Sequence, residues 1–167
     1  MKSTIPTQNY IYLILAFCSL LVGEFYAEGF ISGTLVKTSN GYVPIEQIQV
    51  NDHVICYDSK GTLWNQLITY VERKLVGKYI ELSSGNECIG LSFDQKLYLA
   101  KEHRWILAQE LTLEHELLSS YRNYLPIDAI RTIDQETYTY TITVADYHNF
   151  CISSLDIHCL LYTSRCV

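Results

Sequence analysis

The chain opens on a nearly unbroken apolar run at residues 11–22, and beyond Gly33 its pattern changes to an alternation of period two. Alternation of that kind marks strands with one face toward a core. Thr34-Leu35-Val36-Lys37-Thr38 leads into Ser39-Asn40-Gly41, and Asn-Gly predicts a tight hairpin turn because both residues accept positive φ. His53-Val54-Ile55-Cys56-Tyr57 leads into a second turn, Asp58-Ser59-Lys60-Gly61. Further strands are predicted at residues 67–76, 79–84, 87–93, 96–100 and 138–145, with Gly85-Asn86 as another turn. Short helical turns are predicted near residues 44–48 and 108–111. So many short strands at close spacing predict an all-β domain.

The pattern also repeats. When each residue from Leu35 to Ile55 is set against the one 63 positions later, apolar meets apolar and polar meets polar in 19 of 21 pairs, without a gap. Tyr42 meets Trp105, Ile45 meets Ala108, and Ile48 meets Leu111. Two copies of one unit, strand–turn–aromatic–short helix–strand, predict two β subdomains related by a pseudo-twofold axis.

Composition narrows the function classes. The 167 residues suit one domain, and 12 Lys+Arg against 18 Asp+Glu give a net charge of −6. With no dense Lys/Arg cluster, nucleic acid is excluded as the main partner. Fourteen Tyr, 5 Phe and 2 Trp exclude intrinsic disorder. Lys2 ahead of the 11–22 run predicts a secretory signal helix ending near Ala27, with an uncleaved anchor as the alternative. The expected organisation is a signal or anchor at 1–27, a domain at 29–160 and a tail at 161–167. The protein is expected to be exported and to meet a membrane only through that N-terminal segment. Cutting after Ala27 would leave only Glu28 ahead of the domain, so almost no cargo is expected on that side; residues 160–167 leave none behind Cys159. Cys56, Cys88, Cys151, Cys159 and Cys166 then form one or two disulfides or serve as small buried hydrophobes; the sequence leaves both open.

Gly29-Phe30-Ile31-Ser32-Gly33-Thr34-Leu35-Val36, then Gly41-Tyr42-Val43-Pro44-Ile45-Glu46-Gln47-Ile48, then Val50-Asn51-Asp52-His53-Val54 resembles the opening of a Hint (hedgehog/intein) domain. The nearest resemblance is to the pretoxin-type members found in bacterial polymorphic toxins. Residues 140–150, Tyr-Thr-Ile-Thr-Val-Ala-Asp-Tyr-His-Asn-Phe, resemble the family's penultimate block, and Ser154-Leu155-Asp156-Ile157-His158-Cys159 stands where the last block ends in His-Asn. The resemblance spans Gly29 to about Cys159 and implies the two-subdomain Hint fold.

It also implies self-processing. The family's first residue, normally Cys, attacks the carbonyl before it and converts the amide into a thioester, a step that needs a thiol or hydroxyl. That position is Gly29, which has no side chain, and Ser32 is the substitute three residues on. The family's Thr-x-x-His matches Phe93-Asp94-Gln95-Lys96, so Lys96 replaces the imidazole that serves as acid and base. A lysine titrates far above neutrality unless desolvated and makes a poor proton shuttle. In the last block His158 remains, but Cys159 stands for the Asn whose cyclisation frees the downstream flank, while His148 matches the penultimate block's histidine. Ser32, Lys96, His148, His158 and Cys159 are therefore the vestigial candidate site.

The expectation is an exported Hint-fold protein, catalytically degenerate, acting as a binding or structural module for an unspecified protein partner and needing no cofactor. The alternative is a self-cleaving domain that uses Ser32 or Cys159. A third reading is zinc held by His148, Cys151, His158 and Cys159, although the adjacent His158 and Cys159 would point to opposite faces of a strand. For other residues the bland reading is favoured: His53, His103 and His115 solvated, Trp64 and Trp105 in the core or packed, and no carboxylate dyad among Glu110, Glu114 and Glu116.

Overall fold

The computed structural model describes residues 28–58, 62–119 and 123–160. The apolar run at 11–22, the 161–167 tail and Cys166 lie outside the described residues. Within them the chain is built from short antiparallel strands with two 3-10 turns, Ile45–Gln47 and Ala108–Glu110, the positions read as helical from the pattern.

Among the described residues fifteen strands join into one hydrogen-bonded sheet, thirteen of them along a single path. Its centre is β5 (Leu63–Val76), which pairs with β4 (His53–Tyr57) through its first residues and with β13 (Thr137–Val144) through the rest. From β4 the path runs through β2 (Leu35–Thr38), β14 (Asn149–Ile152), β15 (Ile157–Leu160), β8 (Lys96–Leu99) and β10 (Glu116–Leu118) to the edge strand β11 (Tyr124–Pro126). From β13 it runs through β1 (Phe30–Ile31), β7 (Glu87–Leu91) and β6 (Tyr79–Ser84) to β12 (Ala129–Ile133) at the other edge. Outside this path β3 (Gly41–Pro44) pairs with β2, and β9 (Arg104–Leu107) with β8. Alternate residues supply a single core that includes Phe30, Val36, Val54, Ile68, Leu91, Leu97, Leu117, Ile142 and Phe150.

The predicted duplication is present, with one correction. β2–β3, the first 3-10 turn and β4 recur as β8–β9, the second 3-10 turn and β10, and in both copies the first turn residue donates back across the hairpin: Ile45 N–H to Thr34 O and Ala108 N–H to Gln95 O, each at 2.8 Å. β3 and β9 match at the 63-residue offset, but β2 and β8 do not. The first hairpin closes as Thr38↔Gly41 and the second as Leu99↔Arg104, so the second connection is two residues longer. A shift of two keeps every side chain on its own face of the strand, so the alternation still agreed where the ungapped pairing was out of register.

Turn chemistry explains the other boundaries. Gly85-Asn86 closes β6–β7 as expected, with Gly85 at φ +57°. The first hairpin turns on Ser39-Asn40 rather than Asn40-Gly41, because the Thr38 hydroxyl donates to Gly41 O and accepts from Asn40 N–H. In β7, Gly90 lets β1 lie close: a Cβ there would come within 2.5 Å of Ile31 side-chain atoms. Trp64 is not a core residue. It is 44% exposed, stacks on Tyr147 at 6.1 Å and donates its indole N–H to Asp58.

Candidate processing site

The strand β1 is only two residues long, yet it is held on both sides, Phe30 opposite Tyr140 of β13 and also opposite Leu91 of β7. The peptide just before it, Glu28–Gly29, is therefore fixed between two strands. On one side Ser92 N–H donates to Gly29 O at 2.9 Å; on the other the Thr141 hydroxyl donates to Glu28 O. The Phe30 ring packs edge-on against Phe150 of β14 at 5.9 Å, tying the site to the end of the penultimate block.

Gly29 has φ +148°, a conformation L side chains rarely adopt. A Cβ added to it would lie 2.7 Å from Tyr140 O and 3.0 Å from Thr141 Oγ1. The space a nucleophile on residue 29 would need is thus taken by the backbone and hydroxyl of β13. No sequence pattern announced this contact. Thr141 reads as one more β-branched residue of a strand, and only the register of β1 on β13 brings it to the Glu28 carbonyl.

The segment after β7 supplies the other wall. Ser92 and Gln95 are buried, and Ser92 Oγ and Asp94 Oδ1 are buried atoms with no hydrogen-bond partner. Burial pushes the Asp94 carboxyl above its ordinary range. Ser92, which begins the tetrad one residue before the Phe93–Lys96 match, is the residue that touches Gly29. Lys96 lies half-buried in β8, opposite Leu107 on one side and Leu160 on the other.

The remaining candidates separate. Ser32 is exposed in the turn after β1 and hydrogen-bonds Glu46, whose carboxyl also accepts from Gly33 N–H at 2.8 Å. Burial pushes the Glu46 carboxyl up, but these hydrogen bonds outweigh it and leave it below its usual value. Cys159 is fully buried opposite Phe150, donates to Ile157 O at 3.6 Å, and burial holds its thiol well above the ordinary value. His148, at φ +52°, is half-buried, and its Nδ1 is buried without a hydrogen-bond partner.

His158 pairs with Cys151 across β14–β15, so these two share one face while Cys159 takes the other, as strand geometry required. Cys151 is buried, and that burial raises its thiol well above the usual value. Among the described residues no three His, Cys, Asp or Glu side chains converge to hold a metal ion. Cys56, Cys88, Cys151 and Cys159 are free thiols.

The His158 ring lies 4.5 Å from that of Tyr57, its Nε2 is buried without a partner, and burial lowers its pKa from 6.5 to about 4, with Asp156 pulling the other way. A depressed histidine pKa makes stability fall with acidity. Below pH 6.5 the unfolded chain takes up a proton that the folded chain refuses until about pH 4. Across that window the native state loses up to about 3 kcal/mol through this residue. His158→Phe keeps the ring packing and is expected to remove that part of the slope, as urea titrations at pH 4.5 and 7 would show.

Beside this cluster, fully buried Asp156 accepts from Lys37 Nζ and from the Tyr42 hydroxyl, the latter at 2.7 Å. Lys37 and Tyr42 face each other across β2–β3, so one carboxylate fastens the first hairpin to the end of the chain. Asn149 does similar work, accepting from Tyr57 N–H and donating to Tyr57 O, both at 2.9 Å.

Comparison with known proteins gives a consistent picture. Residues 35–158 match the model of the pretoxin HINT domain. No curated protein matches by sequence. The solution structure of a bacterial intein-like domain from Clostridium thermocellum superposes with a TM-score of 0.76 at 23% identity, over 80% of this chain and 99% of that one. A DnaB intein from Synechocystis sp. PCC 6803 has a TM-score of 0.65 at 18% identity, over 81% of this chain and 99% of its own. The gp41-1 intein likewise has 0.65 at 19% identity, over 80% and 98%. At these identities the likeness is one of fold, the intein-type Hint fold. Matched over residues 35–158 by the family model, the chain belongs to the pretoxin HINT domain family of the hedgehog/intein autoprocessing fold.

Proposed function

We propose that this protein is an exported Hint domain that has lost self-processing from residue 29 and serves as a binding or structural module. The observation that carries this reading is the occupied space at Gly29: there is no attacking atom, and a side chain there would collide with Tyr140 O. Covalent rearrangement begins with a nucleophile placed against its own carbonyl, and proximity accounts for most of its rate. Ser32, the first substitute, is an exposed turn residue engaged by Glu46. Cys159, the second, is a buried thiol held in its neutral form. At the downstream end a cysteine cannot cyclise to the imide that frees the flank.

The purified full chain is accordingly expected to keep its mass over days at neutral pH, in buffer free of added nucleophiles and proteases. Scission at Glu28–Gly29 or beside Cys159 under those conditions, lost in Ser32→Ala or Cys159→Ala, would establish the self-cleaving alternative.

A further inference from the structure

We infer that the cleft beside the first hairpin binds the ring of a neutral sugar. Its volume is about 370 Å³, within the roughly 300–1,000 Å³ that small-molecule sites occupy. It lies where the β2–β3 tip meets the start of β4, and Val43 and the buried Ile48 give it an aliphatic part. The amides of Asn40, Asn51 and Asn65, the Asp52 carboxylate and the His53 imidazole also line it. No lysine or arginine is among the described residues that do so, so an anionic ligand would meet the Asp52 carboxylate with no cationic side chain of that kind to offset it. One carboxylate and one imidazole are too few to hold a metal ion. Hydroxyl groups suit every polar side chain present: amides donate and accept, a carboxylate accepts, and an imidazole does one at each nitrogen. Val43 and Ile48 offer apolar surface to the C–H face of a pyranose ring.

The walls are set before a ligand arrives. Asp52 Oδ2 accepts from Gln49 N–H at 2.8 Å, Asn51 N–H donates to Ile68 O at 2.9 Å, and Ile68 N–H donates to Asp52 O at 2.8 Å. A site built in advance spares the cost of ordering it. The duplication supplies a control within the molecule. Thr112 N–H donates to His115 Nδ1 at 3.0 Å, as Gln49 N–H does to Asp52 63 positions earlier, so the same turn is built twice. Beyond that turn the copies part. Glu116 stands in the place of His53, and its Oε1 takes Lys101 Nζ from the longer second hairpin at 3.1 Å. The span left open in the first copy is thus bridged in the second, and the opening is a property of the first copy's own side chains. The inference deepens the binding-module reading given above and rests on it; retention of mass tests that reading, sugar binding tests this one, and neither result stands for the other.

Saturation-transfer NMR on the purified full chain, with the methyl glycosides of glucose, galactose, mannose and N-acetylglucosamine, is the experiment. At least one glycoside is expected to receive magnetisation and to bind with a dissociation constant on the order of 1 mM, the strength a ligand of that size reaches. Asn65→Ala and His53→Ala are each expected to weaken it at least about fivefold at unchanged melting temperature. Ser39→Lys combined with His53→Glu, which copies the second unit's ion pair into the first, is expected to abolish binding. The 6-phosphate of the best ligand is expected to bind more weakly than that ligand. No transfer to any of the four, wild-type affinity in any of these variants, or tighter binding of the 6-phosphate would each overturn the inference.

Discussion

Asp156→Ala is expected to cost about 3–5 kcal/mol of folding stability, the range for breaking a buried ion pair from one side. Asp156 is 0% exposed, and its carboxylate receives both Lys37 Nζ and the Tyr42 hydroxyl. Removing it takes this buried carboxylate away from the Lys37 ammonium, whose side chain is 17% exposed, and from the Tyr42 hydroxyl. It also places alanine at φ +53°, where Asp and Asn are tolerated better. Asp156→Asn keeps an acceptor for Tyr42 and the backbone preference, so it is expected to cost less. Lys37→Met combined with Asp156→Asn is expected to recover part of that smaller loss, because the half-buried cation no longer faces a neutral amide. Urea unfolding of the four proteins at pH 7 decides the matter. A cost under about 1 kcal/mol for Asp156→Ala would mean that the pair is solvated like a surface bridge.

Gly29→Cys is expected to be destabilised by about 2–4 kcal/mol and to remain uncleaved when a small thiol is added. The change supplies the atom the family uses, but not the place for it. Its Cβ would press on Tyr140 O at 2.7 Å, and backbone cannot swing aside as a flexible side chain can. β1 would have to part from β13, losing the Phe30↔Tyr140 pairing that fixes the site. Thr141→Ala in the same chain removes the 3.0 Å contact but not the collision with the carbonyl, so only part of the stability is expected to return. Thiol-induced scission of Gly29→Cys at wild-type stability would show that the pocket admits a side chain after all.

Much of the fold was legible in the order of residues, because a strand with one buried face writes its period directly into the sequence. The strands Tyr79–Ser84 and His53–Tyr57, both 3-10 turns and the duplicated unit were read from that period and from turn residues. The extra two residues in the second hairpin were not, since a displacement of two leaves the alternation intact. Trp64 was read as core or packed, and it is the latter: its ring is satisfied by Tyr147 and Asp58 at the surface.

The site divides in the same way. That residue 29 is a glycine, with no thiol or hydroxyl, was plain in the order of residues. The reason no simple replacement fits, the approach of Tyr140 and Thr141, depends on a pairing across more than a hundred residues, and local patterns carry no trace of it. Ser92 was likewise overlooked, because its contact with Gly29 is made by its backbone amide and not by its side chain. The buried pairing of Lys37 with Asp156 was hidden for the same cause: the two lie 119 positions apart.

The strand β5 has a consequence for how such a molecule can be taken apart. A single fourteen-residue strand carries the path from one half to the other, its first residues paired with β4 and its later ones with β13. A cut through β5 would strip each half of the strand that borders it. Unfolding is therefore expected to be all-or-none, and recombination that exchanges one half of the path while sparing the other would have to break this strand.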